Sequence, residues 1–236
     1  MATGTLFLIP TTLGASTLAA VVPSEVQQRA RTLEHFVAEN PKTARAYLKQ
    51  VGTTRPLQEL RIATLNEHTP EEAIAGLAAP LLAGHDLGVM SEAGCPGIAD
   101  PGAKLVLYAH RHGIRVVPLV GPSSILLALM ASGLNGQRFT FHGYLPVADV
   151  EREKALRELE KQSRRLTQTQ IFIETPYRNR KLVSSILAAC ARNTLLCVAA
   201  DLTLPGEDIR TMTVAEWKNH PPQLDHRPAL FLLLAA

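Results

Sequence analysis

The sequence has few cysteines, and the three present, Cys95, Cys190 and Cys197, show no CxxC spacing. An odd number of thiols without paired spacing predicts neither a disulfide framework nor a zinc site. We therefore expect no metal and a protein of the reducing cytoplasm.

Long hydrophobic runs are also missing. Residues 1–24 carry no charge, but Pro10 and Gly14 interrupt them and no basic residue precedes their apolar part, which argues against a secretory signal. Residues 116–137 are uncharged too, yet Pro118 and further Pro and Gly residues divide them. The longest unbroken apolar stretch there is far below the ~20 residues of a membrane span. A soluble, cytoplasmic protein without a membrane partner is the expectation.

The common nucleotide-binding and hydrolase motifs GxGxxG, GxxxxGK[ST], GxSxG and HExxH do not occur. Their absence argues against a standard dinucleotide site and a Walker loop. The net charge of +3 permits a nucleic-acid partner but is too small to demand one. Any ligand site must be built on other loops.

Short apolar runs alternate with helical patterns along the chain. The predicted strands are "TLFLIP", "LRIATL", "DLGVMSE" and "RVVPLVG" in the first half, and "RFTFHGYLP", "TQIFIET", "TLLCVAADLT" and "ALFLLLA" in the second. This alternation predicts an α/β fold with a largely parallel sheet and some antiparallel pairing in the second half. A chain of 236 residues suits two domains. We predict an N-terminal α/β domain over residues 1–121 and a C-terminal α/β domain over residues 122–236.

Three of the predicted strands end in loops rich in Gly, Pro, Ser or Thr: "IPTTLG", "SEAGCPGIADPG" and "VGPSS". Ligands of open α/β sheets sit outside the carboxyl ends of the strands. Glycine lets backbone approach a ligand closely, and proline holds a loop open at a small entropic cost. Three such loops favour a pocket for an adenosine or amino-acid moiety over three tight turns without function.

These stretches carry a family resemblance. "SEAGCPGIADPG" is similar to the "SDAGTPGISDPG" signature of the tetrapyrrole-methylase-like S-adenosylmethionine (SAM) methyltransferases, in particular of their 16S rRNA (cytidine) ribose 2′-O-methyltransferase branch. Further matches follow in the same order: "GTLFLIPTTLG", "NEHT", "RVVPLVGPSSILLALMASGL", "RFTFHGYLP" and "IFIETPYR" resemble that branch's "GTLYIVPTPIG", "HN", "RVVPLPGPxAxxxALxxSGL", "RFxFxGFLP" and "FYESPHR". Together the matches cover nearly the whole chain.

The resemblance implies a two-domain tetrapyrrole-methylase-like α/β fold, with SAM in the cleft between the domains and a homodimeric assembly. It also implies a SAM-dependent methyltransferase whose acceptor is rRNA of the small ribosomal subunit. The residues that it assigns to the cofactor are Leu13, Gly94, Cys95, Gly97, Ile98, Ser123, Ser124, Tyr177, Pro228 and Ala229.

The acceptor side is less well defined by sequence. Glu39 lies in "AENPK", which aligns with the branch's "AEDTR" and departs from it after the glutamate. The candidates for acceptor positioning or proton removal are Glu39, His68, Glu174 and Arg178, with His142 as a further one. A ribose hydroxyl is a poor nucleophile, so a base within hydrogen-bond reach would assist its attack on the methyl group.

Two alternative functions remain open. The altered "ENPK" segment, and a chain that stops soon after "ALFLLLAA" where rRNA-modifying relatives commonly continue, favour a methyltransferase of the same fold acting on a tetrapyrrole or another small molecule. A non-catalytic SAM-binding protein is the second alternative. For an RNA acceptor, the basic candidates are Lys42, Arg45 and Lys49, spaced by three and four residues on one predicted helix, together with Arg178.

Overall fold

The computed structural model describes residues 2–235 and confirms the α/β class. The chain divides into two compact units, Met1–Ser123 and Ser124–Ala236. Each unit is built around its own five-stranded sheet.

The first unit contains an entirely parallel sheet. Its strands are β1 (Thr5–Ile9), β2 (His35–Ala38), β3 (Arg61–Thr64), β4 (Leu87–Met90) and β5 (Arg115–Pro118). Its helices are α1 (Leu18–Val21), α2 (Ser24–Thr32), α3 (Pro41–Val51), α4 (Ala73–Leu82) and α5 (Ala103–Arg111). The strand order is β3-β2-β4-β1-β5, so β4 lies between β1 and β2.

Side-chain alternation along the strands builds a core on each face of this sheet. In β4, Leu87 and Val89 join one apolar cluster, whereas Met90 joins the other. Strands β2 and β4 are buried at every position, while the edge strands β3 and β5 are partly exposed. The central strands therefore read as continuous apolar runs, as is typical of a parallel sheet covered on both faces.

The second unit contains a mixed sheet. Its strands are β6 (Phe139–Tyr144), β7 (Thr169–Glu174), β8 (Leu195–Ala200), β9 (Asp208–Thr213) and β10 (Ala229–Leu234). Its helices are α6 (Ser124–Ser132), α7 (Asp149–Leu166), α8 (Asn179–Ala189) and α9 (Val214–Asn219). In the order β6-β7-β10-β8-β9, β6 and β7 run parallel and the other neighbours antiparallel. The prediction of a largely parallel sheet is thus confirmed for the first unit. In the second unit, the antiparallel pairing that was expected in part predominates.

The sequence patterns missed several short elements. Strand β2, "HFVA", has only four residues and follows α2 after two intervening residues, so no turn signal separates it. Strand β9, "DIRTMT", is mostly polar and lies at the outer edge of its sheet, where little apolar surface is required. The predicted helical patterns begin at "PKTARAYLKQV" and end with "PYRNRKLVSSILAACAR", so they do not include helices α1, α2 and α9.

Candidate functional site

The three Gly- and Pro-rich loops of the first unit meet at one edge of its sheet. They follow β1, β4 and β5, which are neighbours, and the carboxyl ends of parallel strands lie at the same edge. The Thr11 amide donates a hydrogen bond to the Gly94 carbonyl at 2.9 Å. The Cys95 thiol donates to the Pro122 carbonyl, with Sγ and oxygen 3.4 Å apart. The loops therefore form one continuous wall.

Two glycines of this wall adopt left-handed backbone conformations. Gly94 has φ +72°, and a Cβ built on it would lie 3.1 Å from Leu13 Cδ2. Gly97 has φ +80°, and its Cβ would meet only the Ala103 nitrogen, at 3.9 Å, within a 4 Å radius. A side chain at Gly94 would therefore crowd Leu13, whereas a side chain at Gly97 would make a single ordinary contact with the Ala103 backbone.

Cys95 and Ile98 complete the cofactor candidates of this loop. Burial raises the pKa of the Cys95 thiol, so the group is protonated at neutral pH. A protonated, carbonyl-bound thiol is a poor nucleophile, which agrees with Cys95 serving as a small loop residue. Ile98 is exposed, and Ser123 lies at the end of the first unit.

Glu39 lies at the same edge of the first sheet, directly after β2. Burial raises the pKa of its carboxyl group, and the nearby charges of Asp100 and Glu92 raise it further. A hydrogen bond from the Glu92 amide acts in the opposite direction and lowers this pKa. Burial also raises the pKa of Asp100, although a Ser91 hydrogen bond lowers it. Three carboxyl groups therefore share this edge, and Glu39 is a stronger base than an exposed glutamate.

The sequence did not identify Glu92 and Asp100 as site residues, although both lie in "SEAGCPGIADPG". Glu92 accepts hydrogen bonds from the Asn40 side-chain amide at 3.1 Å and from the Thr43 hydroxyl at 3.4 Å. Asn40 also caps α3 by accepting from the Lys42 amide at 3.0 Å. The altered "ENPK" segment thus has a local explanation, since Asn40 caps the helix, Pro41 occupies its first position and Glu92 is held in place.

A small cavity of about 160 Å³ lies beside this edge. It is lined by side chains of the β1 and β4 loops and of α3, among them Thr11, Thr43 and Glu92. Tyr47, which also lines the cavity, donates its hydroxyl to the Pro10 carbonyl at 2.9 Å. This bond fixes α3 to the loop that follows β1.

The two histidine candidates have different surroundings. His68 lies in the loop after β3, at the same edge as Glu39, because Leu65 continues the backbone pairing with Ala38. Its side chain is 83% exposed and lies 3.5 Å from Glu67. His142 lies within β6 of the second unit, where its Nε2 is 2.6 Å from the Gln170 side-chain oxygen.

In the second unit, the candidates at the end of β7, in the turn after it and at the start of β10 lie at one end of the sheet. Glu174 ends β7 and pairs directly with Ala229, which begins β10. The carbonyl of Pro228 accepts a hydrogen bond from the Asp201 amide. Tyr177 lies in the short 3₁₀ turn Pro176–Arg178 that follows β7. Ser124 begins α6.

Glu174 and Arg178 form an ion pair. The Glu174 side chain is 2% exposed, and its Oε1 accepts from Arg178 Nη2 at 2.7 Å, from Arg178 Nε at 2.9 Å and from the Thr175 amide at 2.7 Å. Burial alone would raise the pKa of Glu174, but the Arg178 and Thr175 hydrogen bonds outweigh it and lower the pKa. Glu174 is therefore an ionised anchor that holds the Arg178 guanidinium.

Neither a metal-binding cluster nor a membrane-spanning helix occurs within residues 2–235. No group of three or more His, Cys, Asp or Glu side chains there could hold a metal ion. Within the same residues, no helix is both long and apolar enough to cross a bilayer.

Solved structures with the same fold include the methyltransferase CobJ, with a TM-score of 0.64 and 17% identity over 99% of this chain and 95% of that one. The uroporphyrin-III-C-methyltransferase from Thermus thermophilus aligns with a TM-score of 0.56 and 20% identity over 98% and 92% of the two chains. At these identities the likeness concerns the fold alone.

Sequence relatives are more similar. The Ribosomal RNA small subunit methyltransferase I of Xylella fastidiosa is 35% identical over 212 residues, which cover 90% of this chain and 73% of the relative. That of Escherichia coli O157:H7 is 32% identical over 217 residues, which cover 90% and 70%. The family model described as tetrapyrrole (corrin/porphyrin) methylases matches residues 9–218. The chain therefore belongs to the tetrapyrrole (corrin/porphyrin) methylases, a family of methyltransferases.

Proposed function

We propose that the protein transfers a methyl group from SAM to a ribose 2′-hydroxyl of small-subunit rRNA. The observation that carries the proposal is the position of Glu39 at the same strand edge as the glycine-rich wall, where burial and the charges of Asp100 and Glu92 raise the pKa of its carboxyl group. The relatives that are 32% and 35% identical support the acceptor class, since their names specify small-subunit rRNA. An rRNA acceptor and three free thiols are also consistent with a cytoplasmic enzyme.

The first unit offers a fitting surface for the cofactor. At Gly97 the backbone faces open space that a side chain would fill, and at Gly94 it lies against Leu13. The partly exposed Gly97 backbone can bond polar groups of SAM, which when bound supplies an electrophilic methyl group on a sulfonium. The residues of the first unit that we assign to it are Leu13, Gly94, Cys95, Gly97, Ile98 and Ser123.

Glu39 suits the role of general base. Its carboxylate would accept the proton that the 2′-hydroxyl loses as the oxygen becomes nucleophilic. A raised pKa brings the basicity of the carboxylate closer to the operating pH, which increases the driving force for proton transfer. Orientation of the ribose within contact distance of the methyl group would provide much of the remaining acceleration. Glu174, ionised and committed to Arg178, suits an anchoring role better.

The direct test uses labelled SAM and purified small ribosomal subunits that lack the modification. We expect label in the RNA, at a ribose 2′-oxygen. Matched reactions should contain a tetrapyrrole precursor in place of the subunits. Transfer to the tetrapyrrole alone would assign the chain to the small-molecule alternative, and binding of SAM without any transfer would favour a non-catalytic protein.

An RNA acceptor also predicts a salt-dependent affinity carried by α3. Lys42, Arg45 and Lys49 are all exposed on this helix. Replacing Lys42 and Lys49 with alanine should reduce the slope of log affinity against log salt by about one to two, because each phosphate contact releases roughly one counterion. The measurement is subunit binding at several salt concentrations.

The matched control for this experiment is a pair of lysines on α7. Lys154 and Lys161 are exposed and also seven residues apart on one helix. Their replacement with alanine should leave the salt slope unchanged, and neither double variant should alter SAM affinity. A wild-type slope in both variants would show that Lys42 and Lys49 do not contact RNA phosphates.

A further inference from the structure

Two exposed tyrosines flank the Glu174–Arg178 ion pair in the second unit. Tyr144 ends β6 and pairs with Ile173 of β7, the residue before Glu174. Tyr177 lies in the turn that follows β7. Tyr144 is 57% exposed and Tyr177 is 69% exposed. Two aromatic rings are therefore exposed to solvent at one end of this sheet.

The Arg178 guanidinium lies against the Tyr177 ring. Its central carbon lies 5.1 Å from the centroid of the Tyr177 ring, and its Nη1 donates to the Tyr177 hydroxyl at 3.1 Å. The Glu174 hydrogen bond raises the pKa of Arg178 most, burial lowers it, and the charges of Glu174, Tyr177 and Tyr144 raise it further. Tyr177 therefore contacts the cation that the buried Glu174 fixes in place, and Tyr144 ends the strand beside β7.

This arrangement suits a flat, electron-rich ligand. Unpaired nucleobases stack on aromatic side chains and on arginine guanidinium planes. Tyrosine contributes a rigid ring with few rotatable bonds, and Arg178 is already held by Glu174, so little side-chain freedom would be lost on stacking. The positive charge of Arg178 would also attract the adjoining phosphate.

We propose that Tyr144, Tyr177 and Arg178 form a stacking platform for an unpaired base of the RNA acceptor. The proposal rests on the proposed function, because it assigns the platform to the acceptor. The adenine of SAM presents the same chemistry, and the family resemblance assigns Tyr177 to the cofactor. The experiment must therefore distinguish a base of the RNA from the base of the cofactor.

The test compares Tyr144→Leu and Tyr177→Leu with Tyr144→Phe and Tyr177→Phe. The probes are a labelled short single-stranded RNA and an abasic oligonucleotide of equal length and charge. Each leucine variant should bind the RNA about tenfold more weakly, because stacking contributes that much per base. The phenylalanine variants should retain the affinity, and none of the variants should bind the abasic probe differently from the wild type.

Phe139 provides the matched control, since it begins β6 at the opposite end of the strand and is also exposed. Phe139→Leu should bind RNA like the wild type. If the leucine variants lose SAM affinity instead, the platform belongs to the cofactor and the proposal is wrong. Wild-type RNA affinity in Tyr144→Leu and Tyr177→Leu would overturn it as well. If the unmodified protein neither binds RNA nor methylates subunits, the proposed function fails first and the platform proposal fails with it.

Discussion

Replacing Glu39 with glutamine should lower the rate of methyl transfer about a hundredfold to ten-thousandfold, the range typical of a lost general base. SAM affinity should stay within a fewfold of the wild type, because Glu39 is assigned to the acceptor and glutamine leaves the side-chain volume nearly constant. Single-turnover measurements with saturating SAM and small ribosomal subunits would report the chemical step. A rate within a fewfold of the wild type would remove Glu39 from the mechanism.

The pH dependence of methyl transfer tests the role of Glu39 independently. The base must be ionised, so activity falls as the pH drops through the pKa of Glu39. Because burial, Asp100 and Glu92 raise this pKa, the acid limb should lie above the pH at which an ordinary glutamate titrates. Asp100→Asn removes one of the neighbouring charges and should move the limb to lower pH. In Glu39→Gln the limb should disappear.

The Glu39→Gln substitution, which lowers activity, should not lower the thermal stability of the fold at neutral pH. A carboxyl group whose pKa is raised on folding contributes stability below its unfolded pKa, and this contribution is lost as the pH rises through the folded pKa. At neutral pH the ionised Glu39 therefore destabilises the fold. Glu39→Gln should melt at an equal or higher temperature there, and its advantage should vanish in acid. Thermal unfolding at both pH values thus separates a catalytic loss from a folding defect.

The strand ends of the first unit could be predicted from sequence because glycine and proline mark them. "IPTTLG", "SEAGCPGIADPG" and "VGPSS" each follow an apolar run, and parallel strands place all their carboxyl ends at one edge. Their mutual contacts then follow from the adjacency of β4, β1 and β5. The Gly and Pro residues that mark the strand ends, together with the common edge of parallel strands, were enough to predict that these loops lie together.

The environment of Glu39 could not be predicted in the same way. It depends on β2 lying beside β4, although α3, β3 and α4 separate them in the chain. Strand β2 is too short for its pattern to be recognised, so no local signal placed Glu39 next to Glu92 and Asp100. The Glu174–Arg178 pair could not be predicted for a related reason, since only the turn after β7 brings the two side chains together.

Replacing Gly97 with alanine should weaken SAM binding at least about tenfold, equivalent to about 1.4 kcal/mol. The Gly97 backbone at φ +80° faces open space, because the Ala103 nitrogen, at 3.9 Å, is the nearest atom that a Cβ on Gly97 would meet. If this space holds the cofactor, a methyl group there competes with it directly. Isothermal titration with SAM and with its demethylated product would measure the loss.

Strain must be separated from this clash, because alanine is unfavourable at positive φ by about 1 kcal/mol. Gly113 offers the matched control, since it has φ +64°, no atom within 4 Å of a built Cβ, and a position just beyond α5. Gly113→Ala should lower the melting temperature about as much as Gly97→Ala, because both carry the same backbone strain. It should bind SAM like the wild type. If folded Gly97→Ala and Gly113→Ala bind SAM equally well, the "SEAGCPGIADPG" loop is not the cofactor wall. Backbone strain alone would then explain the effect of the Gly97 substitution.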